Sequence, residues 1–150
     1  MKRIPGMKQL EDLLRSSRIV AGGFLGDDKR TLEEILEADA AEVSGLGTTF
    51  EAIAGRMEAL TGLARKGLGT TVKLDDRLEG SVNDNRGVMI CPWPHAGRYT
   101  KTVTFIRRTD TGETISWSDL SIHFIGVHGF FEGRGSHFRL EPTDLVRLLF

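Results

Sequence analysis

Cys91 and His95 stand four positions apart, and His123 and His128 stand five apart. A thiolate and three imidazoles form a donor set suited to tetrahedral zinc, which takes sulfur at roughly 2.3 Å and nitrogen at roughly 2.0–2.1 Å. The spacing of the two histidines suits a helix end. The segment Cys91-Pro92-Trp93-Pro94-His95 supplies one cysteine, where a zinc knuckle supplies a pair. The same residues therefore also read as a buried thiol ending a strand, with histidines that satisfy nearby backbone groups. All four histidines, His137 being the fourth, fall in the last 56 residues, so a site is expected in that half.

Three further groups of residues could do chemistry. Cys91 could attack as a thiolate with a histidine as base, but it follows the apolar run Val88-Met89-Ile90 and precedes a proline. A reactive thiol prefers a helix N-terminus or a cationic neighbour, so packing is the better reading. The stretch from His128 to Arg139 holds three glycines, two histidines, two arginines and Glu132. Its glycines would admit a ligand close to the backbone, and Arg134 with Arg139 could clamp a small anion. It has neither the flanking elements of a phosphate-binding loop nor those of a dinucleotide fingerprint. With Trp93 and His128, these arginines form a candidate ligand site. The expected pocket lies where the Trp93–His95 loop meets the helix end at His128 and the glycine loop through Arg134. Finally, the helices between Leu32 and Leu63 could form a helix-turn-helix. The second would then present Glu51 and Glu58 beside Arg56, a poor surface for phosphates.

The charge balance agrees. There are 20 basic and 21 acidic residues in 150, a net charge of −1. Residues 1–85 carry net −3 and residues 86–150 net +2. Bulk charge does not attract nucleic acid, although aromatics interleaved with Arg98, Lys101, Arg107 and Arg108 could stack on a single strand. One cysteine allows no intrachain disulfide, which fits a cytoplasmic protein. No apolar run approaches the roughly 20 residues of a membrane span, and no signal-peptide stretch follows Lys2 and Arg3. A membrane partner is not expected; a protein partner or a small anionic ligand is.

The elements that must position these residues follow from periodicity. Residues 1–69 read as helical. Met7, Leu10, Leu13 and Leu14 give one stripe and Leu32, Ile35, Leu36 and Val43 a second; Phe50, Ile53, Ala54, Met57, Leu60, Leu63 and Ala64 give the longest. Thr31 with Glu34, and Thr48 with Glu51, have the spacing of capping boxes. From Thr70 the period becomes two. Strands are expected over 70–82, 88–91, 101–107 and 115–117, joined as an antiparallel meander, with Val103, Phe105, Ile115 and Trp117 on the buried face. Ser118 should cap a helix to His128 that ends at Gly129, and Pro142 should open a last helix. Phe130, Phe131 and Phe138 should pin the glycine loop to the core.

The expected fold is α+β in a single domain of 150 residues: a helical N-terminal half packed on a four-stranded antiparallel meander, followed by a C-terminal helix. The residues favour a small binding or interaction domain. The first alternative is a metal-assisted hydrolase using His95, His123 and His128, with Glu132 or Asp119 as base. The second is a nucleic-acid-binding protein.

Overall fold

The computed structural model describes residues 6–150; the basic start at Lys2 and Arg3 lies outside them. Three helices come first: α1 (Met7–Arg15), α2 (Leu32–Gly45) and α3 (Phe50–Arg65). Six strands follow: β1 (Val72–Lys73), β2 (Leu78–Asn83), β3 (Val88–Ile90), β4 (Arg98–Thr100), β5 (Val103–Arg108) and β6 (Thr114–Ser118). Two helices close the chain: α4 (Asp119–His128) and α5 (Pro142–Leu149). The protein is α+β, with a four-stranded antiparallel sheet in the order β1-β2-β5-β6. No helix among the described residues is long and apolar enough to cross a membrane.

The helix starts follow from local hydrogen bonding. Thr31 caps α2 in a full capping box with Glu34, and Ser118 caps α4, with Ser121 reciprocating. The expected box at Thr48 is corrected. The cap of α3 is Thr49, whose hydroxyl accepts from the Ala52 N–H. Two adjacent threonines compete for one cap position, and Thr49 holds the extended backbone that a cap needs. Gly129 ends α4 in the left-handed conformation, with φ of 60°. A Cβ there would also meet the Phe50 ring at 2.6 Å, so the stop requires glycine twice over.

The sheet departs from a simple meander in two ways. Residues 70–82 form two strands rather than one, because Asp75 accepts from the backbone N–H groups of Arg77 and Leu78 and turns the chain. The run at 88–91 does not join this sheet. Val88–Ile90 pairs with Arg98–Thr100 as a separate hairpin, inserted between β2 and β5.

The buried face is also corrected. Trp117 stands opposite Thr104, and Ile115 opposite Ile106. Thr104, Ile106 and Trp117 are buried, Val103 and Ile115 are half-buried, and Phe105 is 47% exposed on the other side. A threonine faces the core because its hydroxyl is satisfied: Thr61 and Thr104 share a hydrogen bond of 2.8 Å, and the Trp117 indole N–H donates to Thr61 at 2.9 Å. That polar pair keys α3 to the sheet.

Two apolar clusters form the core. In one, Ile53, Met57 and Leu60 of α3 pack with Leu78, Ile106, Trp117 and the α5 leucines. In the other, Leu14, Phe24, Leu25, Leu32 and Ile35 gather around Phe124 and Phe130, and Cys91 belongs to this cluster. α4 serves both, with Ile125 in the first and Leu120 and Phe124 in the second. Phe130 and Phe131 are buried as expected, whereas Phe138 is exposed.

Candidate metal centre

Cys91 follows β3, and His95 stands on the proline-stiffened loop that leads to β4. His123 lies within α4, and His128 is its last residue. Their donor atoms all lie within 4.8 Å of one another. His95 Nε2 is 3.1 Å from His128 Nε2 and 3.1 Å from His123 Nε2. Cys91 Sγ is 3.5 Å from His128 Nε2. A tetrahedron with zinc bond lengths has N–N edges of about 3.3 Å and S–N edges of about 3.5 Å. These three separations therefore match the edges of one zinc coordination sphere.

The outer partners support that reading. The Ala96 carbonyl can only accept, and it lies 2.9 Å from His95 Nδ1. The proton of neutral His95 is thereby held on Nδ1, and the Nε2 lone pair points into the cluster. The Tyr99 hydroxyl lies 2.9 Å from His123 Nδ1, the partner a ligating histidine ordinarily has on its far nitrogen. The Tyr99 ring stacks on His123 at 4.3 Å. Trp93 stacks on His128 at 4.1 Å and contacts Phe124 and Phe130. One face of the cluster is thus walled by aromatics.

Electrostatics favours neutral imidazoles at His123 and His128. Burial, followed by the proximity of the other histidines, pushes His128 down to about 4. Burial and then His95 lower His123. Neutral imidazole is the ligating form. Burial pushes the Cys91 thiol up, so its ionisation calls for a cation in contact.

No protein family, curated protein or solved structure matches this chain. Its function must be argued from the site itself.

The structure brings Cys91, His95, His123, His128 and Trp93 together. The glycine loop goes elsewhere. The Gly133 N–H donates to the Phe24 carbonyl, and the Arg134 N–H to the Asp28 carboxylate. Arg134 is exposed. Arg139 forms a bidentate pair with Asp39 of α2, at 2.7 and 2.9 Å, and also bonds Glu141. Its guanidinium is therefore occupied by carboxylates rather than held open for an anion. Asp119 accepts a hydrogen bond from the Thr100 hydroxyl. With His123 and Tyr99 it lines a cavity of about 450 Å³. Glu132 lines a different cavity, under Met89. Sequence reasoning placed Tyr99 only among the aromatics that could stack on a single strand or fill the core, not beside the histidines; its position shortly after the Cys-Pro-Trp-Pro-His loop was the available signal.

Proposed function

We propose that this protein is a small zinc-binding domain in which one metal ion, held by Cys91, His95, His123 and His128, fastens the β3–β4 hairpin to α4. The observation that carries the reading is the convergence of three imidazoles and one thiol, with all four donor atoms within 4.8 Å of one another and three of their six separations at 3.1–3.5 Å. The fold supplies a reason for such a link. Among the described residues the hairpin pairs only with itself, and three-residue strands bury little. A metal bond to α4 would reinforce the Tyr99–His123 and Thr100–Asp119 contacts that already join the two.

A structural role suits the donor set better than a catalytic one. A hydrolytic zinc keeps one position open for water, and four protein donors close the tetrahedron. The four ligands come from two short segments, as in small domains whose folding is coupled to metal.

The test is metal analysis of protein purified without a polyhistidine tag, together with Cys91→Ser and His123→Ala. One zinc per chain is expected in the wild type, with loss of most of it in both variants. Chelation should lower the thermal midpoint of the wild type but leave the variants unmoved. Wild-type protein free of zinc, and unable to bind it when supplied, would overturn the proposal.

A further inference from the structure

Glu132 is 5% exposed, yet no basic side chain bonds its carboxyl among the described residues. The Ser136 hydroxyl donates to Oε1 at 2.8 Å. The nearby Arg139 donates to the Glu132 backbone carbonyl, while its other bonds go to Asp39 and Glu141. The residue sits in the left-handed region, with φ of 70°, a conformation that disfavours any side chain other than glycine's. A buried carboxyl at a strained position is expensive twice, which calls for a reason.

The cavity beside it supplies one. Glu132 lines a pocket of about 320 Å³, walled by Ile19, Val20, Phe24, Met89, Val103 and Leu120. That volume is at the lower end of small-molecule sites, and its walls are mostly apolar; Ser118 also lines it, with its hydroxyl already engaged by Ser121 in the cap of α4. Lys101 also borders the pocket. Its stem and ammonium lie against exposed Gly87, just before β3, so it forms the rim rather than the floor. The pocket thus offers one acidic group, Glu132, beside the engaged Ser118 hydroxyl, and that group can become an anion.

We propose that this pocket binds a small hydrophobic amine, its aliphatic or aromatic body against the apolar walls and its ammonium on the Glu132 carboxylate. An anionic ligand would meet the Glu132 carboxyl, while the nearby Arg139 guanidinium is already engaged by Asp39, Glu141 and the Glu132 carbonyl. A neutral ligand would gain only an ordinary hydrogen bond. An ammonium gains a charge-assisted bond, roughly twice as strong. Burial holds the empty carboxyl near neutrality, up to about 7. Binding of the ammonium then expels the carboxyl proton to solvent wherever Glu132 is protonated. The charges that face the exchange are Glu132 itself, Arg139 behind its carbonyl and Lys101 at the rim. The site is separate from the metal ligands, so it stands or falls apart from zinc binding.

The test uses three probes that share one body: 3-phenylpropylamine, 3-phenylpropan-1-ol and 3-phenylpropanoate. Each is titrated into zinc-supplied wild-type protein at pH 6 and followed by calorimetry in two buffers of different ionisation enthalpy. The amine should bind at least tenfold more tightly than the alcohol, with proton release, and the acid should bind more weakly than either. Glu132→Gln should abolish the tenfold preference while the alcohol binds as before. Ala21→Trp, at an exposed residue of the pocket wall, should block all three probes with Glu132 intact. Equal binding of amine and alcohol, an undiminished preference in Glu132→Gln, or no binding of any probe to the wild type would overturn the proposal.

Discussion

The indole of Trp93 lies on the imidazole of His128, with ring centroids 4.1 Å apart and planes 12° from parallel. Trp93 also touches Phe124 and Phe130, so it connects the candidate metal ligands to the apolar cluster around α1 and α2. Its stack fixes the orientation of the ring whose Nε2 faces both Cys91 and His95. Trp93→Ala should therefore weaken zinc binding by about tenfold, the scale of an outer-shell loss. Competition with a chromophoric chelator measures it. An unchanged affinity would mean that the stack does not orient the ligand.

Tyr99→Phe removes one hydroxyl and keeps the ring that stacks on His123. It should also weaken zinc by about tenfold, because His123 Nδ1 loses its partner. The thermal midpoint of the metal-free protein should hardly move. A large loss of stability without metal would assign Tyr99 to packing rather than to orientation of the ligand.

Glu132 predicts a pH dependence. Its folded-state pKa, about 7, lies above the ordinary value of 4.5 because of burial. Between those two values the folded protein binds more protons than the unfolded chain, so stability falls as pH rises through that window and is level above it. The span corresponds to about 3 kcal/mol. Glu132→Gln keeps an acceptor for Ser136 and removes the charge. It should be more stable than wild type at pH 8 and lose that advantage by pH 5, as read from urea denaturation. Parallel pH profiles for the two proteins would contradict the assignment.

The pair formed by Asp39 and Arg139 is almost wholly buried, with side-chain exposures of 3% and 7%. Asp39→Ala leaves the guanidinium with Glu141 and the Glu132 carbonyl and should cost about 3 kcal/mol. Replacing both partners, Asp39→Leu with Arg139→Met, should recover most of that loss, since an apolar pair of similar size avoids desolvating two charges. A double variant no better than the single would show that Arg139 acts through Glu141 and the Glu132 carbonyl instead.

The helix caps separate two neighbouring threonines. Thr31→Ala and Thr49→Ala should each cost about 1 kcal/mol, and Thr48→Ala much less. Denaturation midpoints decide it, and equal losses at Thr48 and Thr49 would contradict the single cap observed at Thr49.

Much of this architecture is legible in the sequence because it is local. The Thr31–Glu34 capping box, the Ser118 cap, the glycine after His128 and the apolar stripes of α2 and α3 each depend on residues within a few positions. The strand face was misread because Val103-Thr104-Phe105-Ile106 alternates either way. The face is chosen by Thr61, 43 positions away, whose hydroxyl makes Thr104 acceptable inside. The hairpin at 88–100 was missed as a separate sheet for the same reason, since strand partners are a tertiary choice. At the site, the donor types and spacing named the four candidate ligands. Their convergence is a product of the fold, in which the hairpin lies against α4. Arg139 looked like an anion clamp because Asp39, its partner, is 100 positions away.

Zinc-edge X-ray absorption of the purified protein tests the central claim most directly. The account predicts one shell of three nitrogens at about 2.0 Å and one sulfur at about 2.3 Å, with the multiple scattering of imidazole rings and with the sulfur lost in Cys91→Ser. A first shell made of oxygen and nitrogen alone in the wild type, without sulfur, would contradict it.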